Sequence, residues 1–250
     1  MSGAASGAGG PRRVVVTGVG VVSPLGESLA ELHAALCAGR TALAEVESFE
    51  RDGLPSRLGA AVAGFSEARH FGDRNFRPLD RTGRLTAACA GLALADAGWT
   101  AEARGDDGIE IGLVLGTTFG SVRTISEFDR RALTAGPAYV KPLDFANSVI
   151  NAAAGQTAIW HHLAGVNTTL SGGPAVGLAA LAYAADLIAD GRADVVLAGG
   201  AEELCYESYL GYARTGRTVG AGGGPPCAVP FDARRNGFAP GEGAALLVLE

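Results

Sequence analysis

Four runs in this chain, 12–22 (RRVVVTGVGVV), 111–118 (IGLVLGTT), 193–199 (ADVVLAG) and 244–250 (AALLVLE), are apolar almost without interruption. A strand with one face in water alternates apolar and polar residues. A strand that is apolar throughout is covered on both faces, which points to a mostly parallel sheet between helices. A fifth strand is expected at 166–171. Between the strands the period changes to that of helices. In 28–38, Leu29, Leu32, Ala35 and Leu36 share one face, Ser28 is placed to cap it and Gly39 to stop it. Further helices are expected over 80–97, over 122–133 with an end at Gly136–Pro137, and over 147–163 and 175–189. The segment 216–226 (GRTVGAGGGPP) reads as a flexible loop and 231–243 as a turn-rich connection. The alternation predicts an α/β fold with helices on both faces of the sheet. With 38 glycines among 250 residues, many tight turns and close backbone approaches are expected.

Net charge and cysteine usage exclude several classes of function. A formal charge of −6 gives no basic surface for nucleic acid or anionic lipid, so neither is an expected partner. No apolar run reaches the roughly 20 residues of a membrane span. Residues 1–11 are small and polar, without the basic start and apolar centre of a signal peptide. They read as a flexible tail on a cytoplasmic protein. Cys37, Cys89, Cys205 and Cys227 are scattered, form no C-x-x-C pair and have no histidine at metal-ligand spacing. They read as reduced, mostly buried thiols, and no metal is expected. TGVGVVS near the start looks like a dinucleotide loop, but Ser23 stands where the third glycine would be, and no acidic residue ends a second strand at the required distance. No cofactor site follows.

Four stretches, in order, carry a family resemblance: VVVTGVGVVSPLG at 14–26, the block from GPAYVKP to INAAAGQTAI at 136–159, GRADVVLAGGAEE at 191–203, and PFDARRNGFAPGEGAALLVLE at 230–250. In these stretches the chain resembles the N-terminal half of the β-ketoacyl synthases. The resemblance implies a thiolase-like fold of two similar halves, each a five-stranded sheet with helices. Residues 12–250 would be the first half, with the C-terminal half absent. It also implies acyltransferase chemistry on substrates carried by the phosphopantetheine of an acyl carrier protein. The first half supplies a nucleophilic cysteine, and the second supplies two histidines and a lysine.

Counting back from GRADVV, the cysteine position falls on Pro174, in SGGPAVG. Proline has neither nucleophile nor N–H, but its fixed φ suits the first turn of a helix, so the elbow can persist without its chemistry. No catalytic residue is therefore expected. Ser171, three residues upstream, is the fallback nucleophile; Cys205 and Cys227 read as structural thiols. His161 and His162, adjacent on a helix, project about 100° apart and cannot face one carbonyl together. The resemblance places an apolar gate of the acyl channel at Phe119, and a segment that reaches across a dimer interface at Asp144 and Phe145.

The leading expectation is a non-catalytic subunit, similar to the chain-length factors of type II polyketide synthases, pairing as a heterodimer with an active ketosynthase. Two alternatives stand beside it. One is an active β-ketoacyl synthase using a non-standard nucleophile or a separately supplied C-terminal half, with a homodimer as the alternative to the heterodimer. The other is a fragment of a longer ketosynthase. A lone half would leave a large apolar surface in water.

Overall fold

The computed structural model describes residues 12–49, 53–54, 56–99, 109–223 and 225–250. The tail expected over 1–11 lies outside them. The strands are β1 (Val16–Val22), β2 (Ala44–Glu45), β3 (Leu58–Gly59), β4 (Ile111–Thr117), β5 (Asn167–Ser171), β6 (Val195–Glu202) and β7 (Gly243–Leu249). The helices are α1 (Leu29–Cys37), α2 (Glu67–Phe71), α3 (Arg81–Asp96), α4 (Val122–Ala135), α5 (Pro142–Phe145), α6 (Ala152–His161), α7 (Val176–Ala189) and α8 (Tyr206–Arg214), with a 3-10 turn at Pro137–Tyr139.

Five strands form one sheet in the order β1-β7-β6-β4-β5, and β2 and β3 make a separate short hairpin. β4 pairs in parallel with both β5 and β6. β7 runs antiparallel between β1 and β6, so four of the five strands share a direction. The sheet is mixed, with two parallel and two antiparallel pairings, where a mostly parallel sheet was expected.

The unbroken apolarity of the central strands has the anticipated cause. Leu113 and Leu115 face a core built with Leu85, Cys89 and Ala93 of α3. Val114, between them, faces the opposite core with Ala180, Ala184 and Leu187 of α7. Each fully buried leucine or valine contributes roughly 1.5–3 kcal/mol, so β4 alone ties the two layers firmly. The glycines of TGVGVVS serve close packing: a Cβ on Gly20 would lie 2.1 Å from the Cys89 carbonyl oxygen, so α3 can approach β1 only because that Cβ is missing.

Ser28 caps α1 as expected, its side chain accepting from the Glu31 N–H. Asp80 caps α3 in the same way through the Gly83 N–H at 2.9 Å. Other expectations need correction. The helix expected over 147–163 spans only Ala152–His161. Asn147 is buried and donates its side-chain amide to the Pro78 carbonyl, an anchoring contact made by a turn. The strand expected over 193–199 runs on to Glu202, so Gly199, Gly200, Ala201 and Glu202 of GGAEE belong to it. The β2–β3 hairpin, α2, α5 and α8 had no counterpart among the sequence expectations. Of the cysteines, Cys89 and Cys205 are buried but Cys37 is exposed. Among the described residues no helix is long and apolar enough to cross a membrane.

Candidate functional site

The parallel strands β4 and β6 end beside the start of α7, and ligands of open α/β sheets gather at such carboxyl ends. A cavity of about 590 Å³ lies there. Pro174, Val176 and Gly177 form its α7 side; Gly116, Thr117 and Thr118 its β4 side; Gly200, Ala201 and Glu202 its β6 side. A Cβ on Gly116 would sit 2.6 Å from the Val176 carbonyl oxygen, so the glycine lets the end of β4 press against the first turn of α7.

Pro174 is therefore placed on the cavity wall, in the turn between β5 and α7. It stands two residues before the first helical residue, Val176, which is earlier than the first-turn position expected of it. The turn is closed by the Val176 N–H donating to the Gly173 carbonyl at 3.0 Å, and the missing proline N–H leaves no orphan there. Ser171 is the exposed last residue of β5, in register with Thr117, and does not line the cavity. No side-chain hydrogen bond joins it to a base among the described residues.

Among the described residues, no cysteine, histidine or lysine lines the cavity. Cys205 is buried at the start of α8, where loss of solvent pushes its thiol up to about 11. Burial pushes Cys89 to about 12. Neither offers a thiolate at neutral pH. His161 ends α6 with Nε2 2.7 Å from the Ala87 carbonyl oxygen, while His162 takes a left-handed C-cap conformation. The two are separated in role as well as direction, and neither reaches the cavity.

The ionisable groups that line the cavity, among the described residues, are Glu202 and Tyr212. The Glu202 carboxylate accepts from the Thr118 N–H at 2.7 Å and the Phe119 N–H at 3.1 Å, with the Thr117 hydroxyl at 3.3 Å. Burial pushes its carboxyl upward, and these donors oppose the rise. Its role is to tie the end of β6 to the turn after β4. Phe119 follows from that turn and stacks edge-on against Tyr212, with centroids 5.1 Å apart. Tyr212 stacks in turn on Phe238, 5.3 Å away. Tyr212 and Phe238 line the cavity, but Phe119 stands behind them. Asp144 and Phe145 lie at the end of α5, away from the cavity; Phe145 is 67% exposed and leans on Phe128 of α4 at 6.1 Å.

Sequence reasoning singled out Pro174, which lines the cavity, but missed Glu202, Tyr212 and Phe238. Glu202 was legible in principle as an acidic residue ending an apolar strand. Tyr212 was not, because α8 itself was not anticipated.

The profile of the family described as Beta-ketoacyl synthase, N-terminal domain, matches residues 11–250. The chain belongs to the β-ketoacyl synthase family. It is 34% identical over 249 residues to 3-oxoacyl-[acyl-carrier-protein] synthase 2 of Rhizobium meliloti, covering 96% of this chain and 59% of that protein. Among solved structures, the ishigamide ketosynthase/chain length factor superposes with a TM-score of 0.85 at 30% identity, covering 96% of this chain and 58% of that one. A type II polyketide synthase acyl-carrier protein in complex with its ketosynthase bound to the hexaketide gives 0.79 at 27% identity, with 96% and 58% covered. The fold is the thiolase-like fold of ketosynthases, and the chain spans less than two thirds of the length of these relatives.

Proposed function

We propose that this chain is a non-catalytic ketosynthase-family subunit. It pairs with an active β-ketoacyl synthase, and its cavity bounds the acyl chain delivered on the phosphopantetheine of an acyl carrier protein. The observation that carries this reading is Pro174, which has no thiol, on the cavity wall at the entrance to α7. A helix N-terminus stabilises a thiolate and an oxyanion. Here that position is retained without the thiol, so the site can hold a chain but cannot form a thioester. The likeness to a ketosynthase/chain length factor supports the pairing, and the likeness to a ketosynthase complexed with an acyl-carrier protein supports the carrier as partner.

Ser171 does not support a catalytic alternative, since it is exposed, lies off the cavity and has no base hydrogen-bonded to it among the described residues. The test is co-expression with an active ketosynthase and a carrier protein. Co-purification of the two ketosynthase-family chains, with the acyl group on the partner alone, supports the proposal. Failure to associate, with independent condensing activity of this chain, rejects it.

A further inference from the structure

We infer that Tyr212, and not Phe119, sets the depth to which an acyl chain can enter the cavity beside Pro174. The inference rests on the reading of that cavity as an acyl site, and it identifies the residue that determines specificity. The resemblance placed the gate at Phe119. In the structure the Phe119 ring lies flush against the backbone of α8, so that a Cβ added at Gly211 would come within 2.9 Å of it. Its own N–H is fastened to Glu202. Phe119 is thus a buttress, held on one side by helix backbone and on the other by Tyr212.

Tyr212 is the ring that meets the cavity. It stands perpendicular to both Phe119 and Phe238, an arrangement in which ring edges meet ring faces and each partner restrains the other. Thr118 lines the cavity beside it, and the Thr118 N–H donates to Glu202 at 2.7 Å. Phe238 lines both this cavity and a neighbouring one of about 570 Å³, and Tyr212 packs against Phe238 from the side of the first. Replacing Tyr212 with a smaller residue would deepen the first cavity towards the second.

The experiment is calorimetric titration of the full chain with straight-chain acyl-pantetheine thioesters from butanoyl to hexadecanoyl. In the wild type, affinity should rise with each methylene up to a cut-off length and then stop rising. Tyr212→Leu should move the cut-off to longer chains, each newly accommodated methylene adding about fourfold in affinity. Tyr212→Phe, which keeps the ring, should leave the cut-off in place. Phe119→Leu should move it less than Tyr212→Leu does. A shift for Phe119→Leu that equals or exceeds that of Tyr212→Leu, with a cut-off present in the wild type, overturns the assignment and leaves the acyl reading intact. Affinity without any dependence on length in the wild type overturns both.

Discussion

Position 174 joins an exposed turn to the positive end of α7, and such a place lowers a thiol's pKa by favouring the thiolate. Pro174→Cys should create a thiol that titrates below the usual value of about 8.5 and alkylates faster than Cys89 or Cys205. Those two are pushed up to about 12 and about 11 by burial. Iodoacetamide labelling across pH, mapped by peptide mass, measures this, and an introduced thiol that reacts no faster than the buried ones would count against a retained elbow. Glu203 makes a second case at this scale. It is 2% exposed, accepts from the Arg123 N–H at 3.3 Å, and lies near Asp80 and Glu242. Burial first, then those carboxylates, push it from its ordinary 4.5 to about 8. Between these values the folded chain holds a proton that the unfolded chain has released. Stability should therefore fall as pH rises through that window and level off above it, by on the order of a few kcal/mol. Glu203→Gln should flatten the slope in urea unfolding measured across the window; an unchanged slope would show that other groups carry it.

Elements differ in how far the sequence disclosed them. β1, β4, β6 and α3 were legible because burial on both sides leaves an unbroken apolar run or an alanine-rich helix, and Ser28 and Asp80 mark helix starts chemically. α8 was not, because its helical character comes from tertiary contacts. Tyr209 is 1% exposed, and its hydroxyl lies 3.0 Å from the Ser56 carbonyl oxygen and 2.9 Å from that of Leu58, pairings between segments 153 and 151 residues apart. The reversed direction of β7 was equally hidden, since an apolar run does not reveal which way it runs. The candidate site was half legible: its elbow came from counting back along a motif, and its aromatic wall needed α8. Close packing gives a direct test of these element contacts. Gly20→Ala would thrust a Cβ into the α3 backbone and should destabilise by about 3 kcal/mol or more, the upper end of overpacking. Gly39→Ala, at φ +64 with no atom within 4 Å, should lose only the roughly 1–2 kcal/mol of left-handed strain. Equal losses for the two in chemical denaturation would mean that β1 and α3 are not in tight contact. Glu242 links further segments, with Arg81 Nη2 at 2.6 Å, the Val62 N–H at 2.8 Å and the Leu204 N–H at 3.3 Å. Glu242→Ala should cost about 3–5 kcal/mol, because Arg81 loses its partner and two backbone donors lose their acceptor.

For the molecule as a whole, what stays uncovered matters as much as what is packed. α7 buries Ala180, Ala184 and Leu187 against the sheet but leaves Leu178 70% exposed on its outer face. Ile159 of α6 is also 70% exposed, and Leu133 of α4 is 86% exposed. Exposed apolar side chains of this size favour association. Leu178→Glu should lower self-association and apolar-dye binding of the isolated chain, while changing stability by no more than about 0.5 kcal/mol, as for a surface substitution. Sedimentation and equilibrium unfolding together read both effects; a large loss of stability would mean that Leu178 is part of the core. The proposed function has this β-ketoacyl synthase family member hold acyl chains without bonding to them. Its most direct test is the intact mass of this chain after incubation with acyl-loaded carrier protein and an active ketosynthase. The expected result is an unchanged mass for this chain and an acyl increment on the partner. An acyl increment on this chain, mapped to Ser171 or to any cysteine, would contradict it.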